Sequence, residues 1–201
     1  MMKLKVFAVP AVLLISFFGC CECKKMQPPA NPDFVNVKIE TNMGDIFVEL
    51  NKKAAPITVD NFLVYAKEGA YNGTIFHRVI NNFMIQGGGH EPDLTPRPTH
   101  PPIKNEADNG LFHLRGTITM ARGEDLDSAT SQFTISHADN LHLNPDGRYP
   151  WYTVFGKVTK GMDVIDAIAA VETSSRETPS GNTFNDVPIE PVIIKSITVI
   201  D

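Results

Sequence analysis

At 201 residues, 42% hydrophobic and 20% charged, the chain has the size and composition of one well-buried globular domain and leaves little room for a second. Its 18 basic residues against 23 acidic ones give a net charge of -5, and no Lys/Arg cluster lies inside the presumed domain, which argues against nucleic acid as a partner.

Taken in chain order, Lys3 and Lys5 precede an apolar run over residues 6–18, interrupted only by Pro10 and Ser16 and followed by Gly19-Cys20. A bilayer span needs ~20 apolar residues, so the run reads as a secretory signal, residues 1–19, rather than a membrane helix. Its end resembles a bacterial lipoprotein cleavage site. Acylation of Cys20 would tether the mature chain to a membrane surface, facing the periplasm of a bacterial cell envelope. The three cysteines are Cys20, Cys21 and Cys23, so the domain beyond them has neither a disulfide nor a thiolate site. Residues 20–35 hold the anchor cysteine and a flexible linker with Pro28, Pro29 and Pro32.

The folded domain is expected over 36–201. Val35, Val37 and Ile39, then Ile46, Val48 and Leu50, alternate with other side chains on either side of Asn42-Met43-Gly44, which predicts two strands joined by a tight turn. Pro56 and Thr58 open a segment with Val59, Phe62, Leu63 and Ala66 at helical spacing, closed by Gly69, with Thr58 as the cap candidate. Strands follow over 74–79 and 83–86. A proline-rich loop spans 90–109, and two short strands are expected over 117–121 and 132–135. Asn144-Pro145-Asp146-Gly147 signals a turn, residues 151–158 a strand, and Met162, Val164, Ile165, Ile168 and Ala169 a second short helix. A polar loop carrying Pro179 and Gly181 then leads to a last strand over 192–200. Many short strands with only two helices favour an all-β barrel or sandwich over a parallel α/β sheet.

The chemically informative stretch runs from Phe76 to Gly89. It sets one permanent cation, Arg78, on an apolar strand, then two asparagines at a turn, then Phe83 and Met84 beside the amide of Gln86. A cation beside an apolar slot is a binding chemistry. Taken alone, such a pattern more often means a solvated or ion-paired arginine and two core side chains.

Five ordered blocks decide between these readings: Phe76-His77-Arg78-Val79-Ile80 with Phe83-Met84-Ile85-Gln86-Gly87-Gly88, Lys104-Asn105-Glu106, Gly116-Thr117-Ile118-Thr119-Met120-Ala121-Arg122, Ser131-Gln132-Phe133, and Val154-Phe155-Gly156-Lys157-Val158. Together they resemble the cyclophilin-type peptidyl-prolyl cis-trans isomerases of the bacterial exported kind. The resemblance implies a closed eight-stranded antiparallel β-barrel capped by two α-helices, with the binding groove outside a packed interior. It implies Arg78 as the catalytic residue and Phe83, Met84, Gln86, Ala121, Arg122, Gln132, Phe133 and Leu143 as substrate-binding residues. It also implies action on proline-containing polypeptides without a cofactor; a monomer is the default expectation, since the sequence carries no evident interface pattern.

Thr134 stands where the family usually has a second phenylalanine closing the proline pocket, His142 where many eukaryotic members have tryptophan, and Tyr152 where they have histidine. His77 alternates away from Arg78 and reads as a packed structural residue. The remaining histidines show no ligand spacing, so no metal is expected. A non-catalytic proline-peptide-binding chaperone or scaffold module would use the same groove, but it would not need a cation aimed at the prolyl nitrogen.

Overall fold

Strands β1 (Phe34–Thr41) and β2 (Gly44–Asn51) form the expected hairpin, with Val37↔Val48 and Ile39↔Ile46 in register and all four side chains buried. The computed structural model describes residues 31–144 and 151–200. The expected signal over 1–19, Cys20, most of the linker, and the 144–147 turn from Pro145 onward lie outside the described residues.

Helix α1 (Pro56–Lys67) begins with proline in its first turn, where the missing N–H costs nothing. Thr58 is not its cap. The helix starts from Ala55 without a side-chain cap, and the orphan donors of the first turn are met from outside the helix. Glu106 accepts from the Ile57 N–H at 3.1 Å, from the Thr58 N–H at 2.8 Å and from Thr58 Oγ1 at 2.8 Å. The carboxylate also carries the charge that the positive end of a helix favours. Part of the Lys104-Asn105-Glu106 block is thus explained as architecture. At the other end Gly69 takes φ +68°, as the expected stop requires.

The remaining elements are β3 (Phe76–Ile80), β4 (Met84–Gly87), β5 (Thr117–Met120), β6 (Phe133–Ser136), a 3-10 turn (Leu141–Leu143), β7 (Val154–Lys160), α2 (Met162–Ala169), β8 (Thr173–Glu177), β9 (Thr183–Pro188) and β10 (Ile194–Ile200). Eight strands form one antiparallel sheet in the order β10-β1-β2-β7-β5-β6-β4-β3. Helix α1 packs on β10 and β2, and α2 on β2, β3 and β4. Both helices bury side chains in one core with the sheet, among them Phe62 and Tyr65 from α1 and Ile165 and Ile168 from α2.

The architecture is the expected one, but "closed" overstates it. The edge strands β3 and β10 share no ladder. They meet through one bridge, Ile75↔Ile193, flanked by the hydrogen bonds Phe76 N to Val192 O and Ile194 N to Thr74 O. The stretch read as a polar loop is also more ordered than expected, since β8 and β9 pair as a separate two-stranded sheet. This hairpin packs over β3. Its outer strand, Thr-Ser-Ser-Arg-Glu, is almost wholly exposed and carries no apolar alternation to betray it.

Candidate functional site

The outer face of β3-β4-β6-β5 is built from two rows of side chains fixed by the pairing. One row is Arg78↔Gln86↔Thr134↔Thr119, and the next, two residues along, is Ile80↔Met84↔Ser136. The intervening row, Val79↔Ile85↔Ile135↔Ile118, faces the core and is buried throughout. A register shift between Phe76 and Arg78 adds a residue to β3, so that Phe76 turns into the core while Arg78 turns out.

Between these rows and the segments that cross above them lies a groove of about 210 Å³. Arg78, Phe83, Met84, Gln86, Ala121, Arg122 and Leu143 all line it. Gln132 lines the adjoining hollow beside Ala121 and Arg122, and its Oε1 accepts from Gln86 Nε2 at 2.9 Å. Gly89 makes that placement feasible, because a Cβ there would sit 2.4 Å from Gln132 Cγ.

Phe133 does not belong with these residues. It shares the inward phase of Ile135, is fully buried, and packs edge-on against Phe62, Tyr71 and Phe76. Strand alternation makes Phe133 a core side chain and leaves Thr134 as the groove residue of that strand.

The apolar end of the groove is held by main-chain anchors. The Phe83 carbonyl accepts from the His137 N–H and from Asn140 Nδ2, both at 2.9 Å. His137 Nδ1 accepts from the Asn82 N–H at 2.9 Å, where Asn82 carries φ +58° through the β3-β4 turn. Asn140 also starts the 3-10 turn that presents Leu143, its carbonyl accepting from the Leu143 N–H at 2.9 Å. One buried amide therefore ties the two apolar walls, Phe83 and Leu143, together. The Phe83 ring stacks on His142, with centroids 5.8 Å apart.

The two arginines of the groove differ. Arg122 donates to the carbonyls of Trp151 at 3.1 Å, Gly123 at 2.7 Å and Glu124 at 3.0 Å, and lies 4.9 Å from the Tyr152 ring centroid. Arg78 makes no hydrogen bond among the described residues. Its nearest counter-charge is Asp186 Oδ2, 3.9 Å from Nε, with both side chains more than two-fifths exposed. A pair that long and that wet holds little energy and leaves the guanidinium free to donate.

His77, next to Arg78 in sequence, is buried as expected and lies 4.5 Å, centroid to centroid, from His90, which is also buried. Burial, followed by the neighbouring His90 and Arg78, lowers the His77 pKa to about 3, so the ring is neutral at ordinary pH. His113, Thr119, Asn140 and Ser136 also line the groove, and nothing in the sequence marks them as binding residues, whereas Tyr152, which lines it too, stands where eukaryotic members of the family have histidine. Thr119 and Ser136 were legible in principle as the polar phase of β5 and β6. Among the described residues no group of three His, Cys, Asp or Glu side chains is placed to hold a metal ion.

Comparison with known proteins gives a consistent result. Residues 36–199 match the family model described as "Cyclophilin type peptidyl-prolyl cis-trans isomerase/CLD". Peptidyl-prolyl cis-trans isomerase A of Dickeya dadantii is 49% identical over 165 residues, covering 82% of this chain and 84% of the relative. Peptidyl-prolyl cis-trans isomerase B of Escherichia coli is 51% identical over 166 residues, covering 81% and 98%. Among solved structures, a Cryptosporidium parvum cyclophilin-type isomerase crystallised in the presence of the dipeptide Ala-Pro matches with a TM-score of 0.70 at 28% identity, covering 83% of this chain and 99% of that one.

Proposed function

The chain belongs to the cyclophilin-type peptidyl-prolyl cis-trans isomerases and is an enzyme that accelerates X-Pro isomerisation; from that premise we propose that Arg78 carries the reaction in the groove on the outer face of the sheet. The observation that carries the assignment is the Arg78 guanidinium, free of hydrogen bonds among the described residues and set at the rim of an apolar seat.

Rotation about an X-Pro bond is slow because amide resonance must be lost, at a barrier of ~18 to 20 kcal/mol. No bond is made or broken, so the enzyme has only to hold the proline ring and favour the twisted state. In that state the prolyl nitrogen becomes pyramidal and regains a lone pair. A guanidinium stays charged at any working pH and can donate to that nitrogen and to the neighbouring carbonyl at once. Donation that strengthens only on twisting is transition-state binding. An acceleration of ~10⁵-fold corresponds to roughly 7 kcal/mol, more than one exposed cation supplies, so desolvation and positioning in the groove contribute as well.

In this reading Phe83, Met84 and Leu143 seat the proline ring, Gln86 and Gln132 hold the peptide backbone, and Ala121 lines the channel beside them. Proline-containing polypeptides are the substrate class. The dipeptide of the Cryptosporidium parvum relative supports this. A proline-peptide isomerisation assay on the wild type and Arg78→Ala tests the assignment. The expected result is a loss of about 10²- to 10³-fold in kcat/KM with the fold intact. Equal acceleration by both proteins overturns it.

The clients, in this proposal, are exported proteins, met by a monomer held at the cell envelope through acylated Cys20. Its basis is the sequence of residues 1–23, which lie outside the described structure. No helix among the described residues is long and apolar enough to cross a membrane. Mass spectrometry of the mature protein is expected to find an acylated chain beginning at Cys20, and an unmodified chain or another start point refutes the anchor.

A further inference from the structure

The proline seat has walls that the sequence foresaw and an inner end that it did not. Phe83 and Leu143 line the groove from outside the sheet, Met84 and Gln86 from β4, and the remaining side chains that the sheet offers are Thr134 and Thr119, adjacent in the ladder, and Ser136. Small hydroxyl side chains cannot provide the broad contact that a pyrrolidine ring takes from an aromatic face. The ring of His113 lies at this end, beside Thr119. His113 comes from the irregular segment before β5, lines the same groove, is 2% exposed, and places Nδ1 3.4 Å from Thr119 Oγ1.

His113 is held by its own backbone rather than by the sheet. Its N–H donates to Asn144 Oδ1 at 2.8 Å, and its carbonyl accepts from the Asn140 N–H at 2.7 Å. Asn140 is the amide that joins Phe83 to the Leu143 turn, so the imidazole and both apolar walls hang from one hydrogen-bonded unit. We propose that His113 is a substrate-binding residue of this isomerase, its ring closing the inner end of the proline seat over the Thr119–Thr134 pair. The proposal rests on the reading of the groove as the proline site.

An imidazole in this place is an aromatic wall only while it is neutral. Burial is the largest influence on it, and the nearby His142 acts in the same direction, while a hydrogen bond to the Tyr152 backbone opposes them; the result is a pKa lowered to about 4. Arg122, stacked on Tyr152, lines the same groove. At neutral pH the seat therefore keeps an uncharged ring, and below about pH 4 it would present an imidazolium to the proline.

The test combines a spectroscopic titration with two variants. When a tetrapeptide containing Ala-Pro is added to the wild-type protein, the His113 ring resonances are expected to shift together with the Arg78 backbone amide. This measurement needs neither turnover nor a mutant that folds. In the isomerisation assay His113→Ala should lose about tenfold in kcat/KM, as expected for removing an aromatic contact. His113→Phe should stay within about threefold of wild type and lose the fall in activity expected of the wild type as pH drops through about 4. Ring resonances that stay still while the Arg78 amide moves overturn the proposal, as does an acid limb unchanged in His113→Phe. Failure of the groove reading looks different: wild type and Arg78→Ala then behave alike, and neither amide nor ring responds to peptide.

Discussion

Arg78 and Arg122 carry the same charge and line the same groove, yet their surroundings assign them opposite work. Arg122 is spent on the protein. Its guanidinium brackets the carbonyls of Trp151, Gly123 and Glu124 and lies against Tyr152. Arg78 has only a 3.9 Å approach to Asp186 and no hydrogen bond among the described residues. A cation held by three main-chain carbonyls can shape a site, whereas one without a hydrogen bond among the described residues can follow a substrate through a change in geometry. The difference lies in the neighbours, since residue type alone makes the two indistinguishable.

What lies beneath each arginine offers the largest test of this contrast. Arg78 stands beside a buried pair, His77 and His90, and its charge helps to keep His77 unprotonated after burial has done most of the work. Burial also lowers the pKa of His90. Unfolding frees His77 to bind a proton at an ordinary pKa near 6.5, while the folded protein resists until about pH 3. Between those limits the unfolded state holds more protons, so stability rises with pH and is lost as pH falls below 6.5. The His77 contribution alone is worth about 2 to 3 kcal/mol between about pH 6.5 and 4.5. Urea unfolding at the two pH values should show a loss of that order, and an unchanged free energy would mean that Arg78 does not stand beside a neutral histidine.

A smaller effect is expected on the other side of the comparison. Arg122→Ala releases three carbonyl oxygens and the Tyr152 ring, and should cost about 1 to 2 kcal/mol of stability in thermal or urea unfolding. Its kcat at saturating peptide should stay within about threefold of wild type, in keeping with a residue that shapes the wall without acting on the bond. A collapse of kcat with stability preserved would move the catalytic role from Arg78 to Arg122.

The same contrast shows how far the sequence reaches. Alternation and glycine placement located the β1-β2 hairpin, both helices and the strands around Arg78, because a buried face repeats in a simple period. They could not tell Phe133 from Thr134 as the groove residue until the register put Phe133 in phase with Ile135 and the core. The β8-β9 hairpin escaped notice because its outer strand packs on nothing that demands apolar residues. His113 left no signal at all: it sits in a segment without periodicity and gains its place from Asn140 and Asn144, 27 and 31 residues further along the chain. The barrel seam between β3 and β10 was likewise invisible, since one bridge and a ladder read alike in sequence.

The most direct measurement is NMR exchange on enzyme-bound peptide, which yields the rate of cis-trans interconversion within the complex and the dissociation constant from one titration. If Arg78 acts on the twisted state, Arg78→Ala slows interconversion on the enzyme by at least about 10²-fold while the dissociation constant changes by less than about threefold. An undiminished rate, with the whole loss appearing as weaker binding, would contradict that account and make Arg78 a clamp for the ground-state peptide.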